Sequence, residues 1–251
     1  MLRRMCGRYT HKFTWKELHD LLAQGVWPQR LAQVTDAALF EARFNIAPTQ
    51  SAPIVRAAVH GGKVTGLEVA PLRWGLAPHW SKDSKRGPIN ARAETVATNA
   101  VFRAAFAARR CIVPVSGFYE WKRTQSPPLI PGAEPVEGPK QPHYITRADG
   151  RPLLLAGLWE RWGKDGDDEG CVETFAIVTT TANEFMSQVH DRMPVVLEPE
   201  SAPRWLDPHA EPAALQGLLL PAPDGILQMH PVSPRVNSPR NQGEELILSI
   251  G

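Results

Sequence analysis

A cysteine directly after a methionine, in the run Met5-Cys6-Gly7-Arg8-Tyr9, can do chemistry that no internal cysteine can. If Cys6 becomes the amino terminus, an α-amine and a thiol stand on adjacent carbons. An α-amine has a reference pKa of ~7.8, so part of it is unprotonated at neutral pH and can condense with an aldehyde to an imine. The thiol, with a reference value of ~8.5, can then add to the imine carbon and close a five-membered thiazolidine ring. Each step moves a proton. Glu120 ends a β-type run between Tyr119 and Trp121, where desolvation favours a protonated carboxyl suited to proton transfer. His190 stands where a helix is expected to end, and an imidazole can protonate a leaving hydroxyl or a ring oxygen. Asn90 and Arg92 are two apart, so an extended backbone points them the same way, an amide beside a guanidinium. Such a pair can hold a sugar and a phosphate.

Every one of these residues also has a plainer reading. A free cysteine is most often a small core residue. Glu120 can be an exposed strand end, His190 can satisfy helix-terminal carbonyls, and Asn90 with Arg92 can form a surface turn. Trp74, Trp80 and Trp121 lie close to these groups in sequence. They are either core anchors or platforms for exposed bases, where stacking contributes roughly 1–3 kcal/mol per base.

The elements that must position these groups are short. Thr14-Trp15-Lys16-Glu17 reads as a capping box opening a helix with Leu18, Leu21 and Leu22 on one stripe and Gly25 as its stop. Further helices are expected at Thr98–Arg109, Asn183–Val189 and Pro212–Leu220. Strands are expected at Ile54–Val59, Leu67–Trp74, Ile112–Trp121, Leu153–Trp159, Phe175–Thr180 and Leu246–Ile250. Strands and helices do not alternate regularly, which favours an α+β fold over a doubly wound sheet. The proline-rich stretch Thr124–Pro142 is incompatible with a helix or a central strand and reads as a surface loop. The Asp-rich run Gly163–Gly170 reads as a hairpin tip.

Bulk properties narrow the function classes. At 251 residues the chain is long enough for one domain with a full core. A net charge of +2 does not by itself mark a nucleic-acid binder, although 20 Arg against 8 Lys favours planar, bidentate contacts. The high arginine share also fits a GC-rich coding bias. The cysteines Cys6, Cys111 and Cys171 form no C-x-x-C pair, and no histidine pair has metal spacing, so neither metal nor cofactor is expected. No apolar window is long enough to span a membrane and no secretory signal is evident, which points to a reduced, cytoplasmic setting.

Taken in order, Met-Cys-Gly-Arg, Asn-Ala-Arg-Ala-Glu-Thr, Gly-Phe-Tyr-Glu-Trp and His-Asp-Arg-Met-Pro resemble the SOS-response-associated peptidase (SRAP) family nearly end to end. The resemblance implies a sensor of abasic sites in single-stranded DNA that forms a thiazolidine DNA–protein crosslink and so shields the lesion. It places the nucleophile on Cys6 and the other active-site groups on Asn90, Glu120 and His190. Thr179 matches a position near the lesion, and Arg8, Pro48, Trp80 and Arg92 fall in segments that contact or wedge the DNA. The implied fold is α+β, with curved, bifurcated antiparallel sheets around a small barrel-like core. The protein is expected to be monomeric, and nucleoid-associated when on damaged DNA. Residues 1–5 are expected to be removed or to precede the true start, leaving 6–251 as one domain. Abasic lyase activity is a further expectation. The alternatives are an N-terminal-cysteine hydrolase acting on amides and a non-catalytic single-strand binding module.

Overall fold

The computed structural model describes residues 7–25, 37–126, 136–163 and 170–251. Cys6, with the residues before it, lies outside them, as do the centres of the Pro-rich stretch and of the Gly163–Gly170 run.

In chain order the strands are β1 (Tyr9–His11), β2 (Arg43–Ile46), β3 (Ser51–His60), β4 (Lys63–Trp74), β5 (Asn90–Arg92), β6 (Arg110–Val115), β7 (Gly117–Lys122), β8 (Gln125–Ser126), β9 (Val136–Glu137), β10 (Gln141–Arg147), β11 (Leu153–Trp162), β12 (Val172–Thr181), β13 (Arg192–Pro194), β14 (Val196–Leu197) and β15 (Leu227–Pro231). The α-helices among the described residues are short: α1 (Trp15–Leu22), α2 (Arg103–Ala108), α3 (Glu184–Ser187), α4 (Ala202–Leu206) and α5 (Pro212–Gln216).

The fold is α+β and dominated by two sheets. The smaller has the order β15-β10-β7-β1-β2 and is antiparallel throughout. The larger runs β13-β12-β4-β3-β6-β11-β14, and an added β11–β12 pairing closes its centre into a ring. One junction of that ring, β12 with β4, is parallel, and β5 adds to β12 in parallel as well. Closing a sheet removes exposed edges from its middle strands.

Strand alternation divides the interior. Ala176 and Val178 of β12 face a core shared with Leu18, Leu21 and Leu22 of α1, Phe106 of α2 and Trp205 of α4. Phe175 and Ile177 face the opposite way, into a core shared with Tyr9, Phe118 and Ile145 of the smaller sheet. That second core joins the two sheets. A third, smaller cluster, built on Tyr119 and Tyr144, fills the outer face of the smaller sheet.

The capping box is present: Thr14 accepts from the Glu17 amide, and the Glu17 carboxylate accepts from the Thr14 amide at 2.7 Å. Other expectations are corrected. Ile112–Trp121 is two strands in different sheets, β6 and β7, broken at Ser116. The break needs Gly117, because a Cβ there would lie 2.6 Å from both the Ile145 carbonyl oxygen and the Tyr144 ring. Helix α2 begins at Arg103, not Thr98. Ahead of it the Asn99 side chain accepts from the Val101 amide at 2.9 Å, a local turn that competes with helical bonding. Leu246–Ile250 is not a strand; its first half belongs to a 3₁₀ turn, Glu244–Ile247, that buries Leu246 and Ile247 side by side. Pro142 lies inside β10, an interior strand of the smaller sheet, opposite Trp121. Its missing N–H is tolerated there while its carbonyl still accepts from Val232 at 3.0 Å.

Candidate functional site

The inter-sheet core is lined by Tyr9, Trp74 and Phe175 in sequence: Tyr9 meets Trp74 at 5.0 Å between ring centroids, and Trp74 stacks on Phe175 at 6.2 Å. Trp74 is fully buried and donates its indole N–H to the Ile89 carbonyl at 3.0 Å. That bond fixes the residue immediately before Asn90.

Glu120 comes to this core from the smaller sheet. It alternates with Tyr119 and Trp121, so it shares the face of Phe118, and only 2% of its surface is exposed. Its cross-strand partner in β10 is His143, whose imidazole is held below its ordinary pKa mainly by burial. On the other side of Glu120 lies the N-terminal end of β1. Tyr9 pairs with Phe118, and the Tyr119 amide donates to the Arg8 carbonyl at 3.0 Å. Continuing that register by one residue sets Gly7 beside Glu120. A Cβ on Gly7 would meet nothing within 4 Å, so protein packing does not demand the glycine.

Asn90 and Thr179 come from the larger sheet. Asn90 is in register with Ile177 and Arg92 with Thr179, so these side chains share the face that carries Phe175 and Ile177. Thr179 is buried and its hydroxyl lies 3.4 Å from the Ala91 carbonyl. The expected same-side placement of Asn90 and Arg92 holds, with Asn90 half-buried and Arg92 exposed.

His190 follows α3, which Asn183 caps by accepting from the Met186 amide at 2.9 Å. Met186 and Val189 enter the inter-sheet core, and the His190 amide closes the helix end on Met186 at 3.0 Å. The Nδ1 atom of His190 accepts from the Arg192 amide at 3.0 Å and lies 2.9 Å from Oδ1 of Asp191. One nitrogen cannot accept and donate at once. With the proton on Nε2, Nδ1 accepts from Arg192; with a proton on Nδ1, that N–H turns to Asp191 instead. The Arg192 guanidinium makes a bidentate pair with Glu94, at 2.5 and 2.9 Å, and also donates to the Thr179 carbonyl at 2.7 Å. This pair holds the Glu94 carboxyl below its usual range.

The remaining expected residues surround this region differently. Arg8 points to the outer face: Nη1 donates to Asn45 Oδ1 at 2.9 Å and the Val236 carbonyl at 2.7 Å, and Nη2 donates to the Asn237 carbonyl at 3.1 Å. Pro48 is in the tight turn after β2, next to Thr49, whose φ of 73° is left-handed backbone that costs a non-glycine residue energy. Trp80 is 59% exposed on a loop between β4 and β5. A close approach pinches that loop shut at its base: a Cβ on Gly87 would fall 2.0 Å from the Leu76 carbonyl oxygen. Trp162 anchors the loop by donating to Ser81 at 2.8 Å, and Lys82, Lys85 and Arg86 lie exposed beside Trp80. Of the three tryptophans, Trp74 is a core anchor, Trp80 is displayed, and Trp121 is half-buried and bonded to Asn237 Oδ1 at 2.7 Å.

The two sheets thus bring Glu120, Asn90, Thr179 and His190 to the border of one core. Sequence reading missed His143 and the Glu94–Arg192 pair. The Glu94 and Arg192 letters were within the motifs, but their pairing spans |i−j| = 98 and has no local signature. Among the described residues no three His, Cys, Asp or Glu side chains are grouped to hold a metal ion. No described helix is long and apolar enough to cross a membrane.

The family model described as SOS response associated peptidase (SRAP) matches residues 5–239. The chain is 36% identical to the abasic site processing protein YoqW of Bacillus subtilis, over 98% of this chain and 100% of that one. It is 32% identical to the abasic site processing protein YedK of Escherichia coli, again over 98% and 100%. A crystal structure of a Bacteroides thetaiotaomicron protein superposes with a TM-score of 0.72 at 23% identity, covering 97% of this chain and 99% of that one, and shares its fold.

Proposed function

Because this chain belongs to the SRAP family, we propose that it processes abasic sites in single-stranded DNA by forming a thiazolidine crosslink through Cys6. The observation that carries this reading is the β1–β7 ladder. It leads the chain, at Gly7, to the side of the buried Glu120, one peptide unit from Cys6. The absence of any packing reason for Gly7 fits a backbone approached closely by a ligand.

The reaction needs Cys6 as the amino terminus, since a peptide nitrogen has no available lone pair. The ring-opened deoxyribose supplies an aldehyde. The Cys6 amine adds to its carbon, the carbinolamine loses water, and an imine results. The thiol then adds across the C=N bond: sulfur bonds to carbon and the nitrogen takes a proton. No oxidant or cofactor is required. Glu120 moves the protons at nitrogen and oxygen, and its burial places that transfer away from bulk water. His190, with its Nε2 proton, protonates the sugar ring oxygen on opening. Asn90 orients the sugar beside Thr179. Arg92 meets a flanking phosphate, Arg8 offers its remaining donors to the backbone further along the strand on the outer face, and Pro48 and Trp80 flank the lesion, with Trp80 stacked on a neighbouring base. The same groups serve reversal, and an imine that eliminates the 3′ phosphate gives lyase activity. Residues 6–251 act as one domain in this reading.

The test is incubation of protein with a verified N-terminal Cys6 and single-stranded DNA bearing one abasic site, followed by a denaturing gel. A persistent shifted band, absent with Cys6→Ala and with undamaged DNA, is expected. No covalent band from the verified protein overturns the proposal. Amide cleavage without crosslinking would favour a hydrolase, and lesion-blind, salt-dependent binding that survives Cys6→Ala a plain binding module.

A further inference from the structure

Glu120 sits where the inner face of the smaller sheet passes from core to solvent. Across that face β10 and β7 pair Ile145 with Phe118, His143 with Glu120 and Gln141 with Lys122. Ile145 and Phe118 are buried and Lys122 is exposed, so the His143–Glu120 rung marks the boundary. The two members of that rung differ. Glu120 is 2% exposed, whereas His143 is only half-buried. Side chains directly opposite in an antiparallel pair rise from one face, with Cβ atoms about 4.5–5.5 Å apart. The imidazole therefore gives the buried carboxyl a titratable neighbour that reaches solvent.

The ring is also oriented. Its Nδ1 lies 3.1 Å from the carbonyl oxygen of Gln141, two residues back on the same strand. A carbonyl oxygen accepts and does not donate, so Nδ1 carries the proton and Nε2 keeps a lone pair. The charged and titratable groups around the ring are Glu120 and Lys122 of β7 and His230 of β15. Burial first, and then the Lys122 and His230 charges, hold the imidazole below its ordinary pKa against the opposing effect of the Gln141 bond. At pH 7 the ring is a neutral base, open at Nε2.

The crosslinking chemistry releases a proton. With a reference pKa of ~7.8, most of a free α-amine is ammonium at pH 7. Ammonium, thiol and aldehyde give the thiazolidine, one water and one proton, because the ring nitrogen beside sulfur is a weaker base than the amine. A carboxyl with almost no accessible surface has no direct route for that proton to bulk water.

We propose that His143 is the proton exit of the site: its Nε2 accepts, directly or through one water, the proton that Glu120 collects from the Cys6 nucleophiles, and the half-exposed imidazolium then loses it to solvent. His143 acts through Glu120 and touches no reacting atom. The role rests on the crosslinking function proposed above, and reversal runs the same proton inward.

The experiment compares wild type, His143→Ala, the bulkier His143→Gln and Glu120→Gln. Three quantities are read: affinity for undamaged single-stranded DNA, the crosslinking rate at saturating protein with and without added imidazole, and the His143 tautomer by nitrogen-15 NMR. Both His143 variants are expected to keep their affinity and to crosslink about 10-fold more slowly, a smaller loss than that of a full general acid–base group. Added imidazole is expected to restore most of the rate in His143→Ala, where the ring has left a space, and none in Glu120→Gln, where the group that feeds the relay is gone. The neutral wild-type ring is expected to show Nδ1–H. A wild-type rate in both His143 variants overturns the proposal. So does a loss in His143→Ala that imidazole does not recover, which marks a packing role, and so does an Nε2–H tautomer. The two readings fail separately: no crosslink from wild type removes the crosslinking function and the relay with it, whereas equal crosslinking by wild type and the His143 variants removes the relay alone.

Discussion

Tyr9 packs on Trp74 with 58° between the ring planes, and through that contact the strand that follows Cys6 is fastened to the larger sheet. Both rings are buried, Tyr9 at 2% and Trp74 at 0% exposure. The position of β1 relative to Asn90 therefore depends on aromatic packing as well as on the β1–β7 ladder.

The Tyr9 hydroxyl is buried without a hydrogen-bond partner among the described residues. An unsatisfied polar group in a core costs about 1–3 kcal/mol, so deleting it should relieve part of that cost. Tyr9→Phe is expected to raise the urea midpoint with an unchanged m-value, a gain of up to about 1 kcal/mol. Trp74→Ala, by contrast, is expected to lose about 3–5 kcal/mol. A Tyr9→Phe variant less stable than wild type would show that the hydroxyl has a partner after all.

His11 gives the stability a defined acid dependence. Its ring is 1% exposed, packs on Phe13 at 4.3 Å and on Phe40 at 5.5 Å, and pairs in register with Arg43. Burial first, and then the Arg43 charge, lower its pKa from 6.5 to about 4. The folded state thus keeps His11 neutral where the unfolded chain binds a proton. Stability is full above about pH 6.5 and falls as the pH drops toward 4, by an amount on the order of 2–3 kcal/mol. Urea unfolding at pH 7 and pH 4.5 should show a smaller acid loss in His11→Phe than in wild type. Equal losses would remove His11 from the account.

Trp80 is the displayed aromatic, on a loop that Trp162 and the Gly87 approach hold in place. Trp80→Ala should weaken single-stranded DNA binding by about 1–3 kcal/mol, roughly 5- to 150-fold in Kd. The crosslinking rate at saturating protein should stay near wild type. Fluorescence anisotropy and single-turnover gels separate the two. An affinity equal to wild type would take Trp80 off the DNA path.

Glu120 is the buried acid across from Gly7 in the continued β1–β7 register. Glu120→Gln keeps shape and hydrogen bonding but cannot shuttle a proton, and general acid–base groups contribute roughly 10²–10⁴-fold. Crosslinking is expected to slow by that order while DNA affinity holds. His143→Ala, on the opposing strand, tests whether the cross-strand imidazole assists, and a rate reduced less than that of Glu120→Gln is expected. A Glu120→Gln rate within twofold of wild type would exclude the carboxyl from the chemistry.

Local chemistry was legible in the chain itself. The Thr14–Glu17 capping box, the Asn183-initiated turn and most of β3, β4, β11 and β12 follow from side-chain spacing and short-range hydrogen bonds. The residue type able to build a thiazolidine was also visible, because a cysteine at an amino terminus carries an amine and a thiol on adjacent carbons. Tertiary structure decided the rest. The parallel pairing of Phe175 with Trp74 joins positions about a hundred residues apart, and no periodicity encodes such a partner. Likewise, Trp74 and Trp80 read alike in sequence, yet one closes a core and the other meets solvent. Arg8 reads as a cation for the DNA strand, yet its terminal nitrogens donate to protein acceptors far along the chain. Propensity and capping act within a turn or two of chain. Which face a strand buries, and which residue lies across from it, is set by packing between elements that are neighbours only after folding.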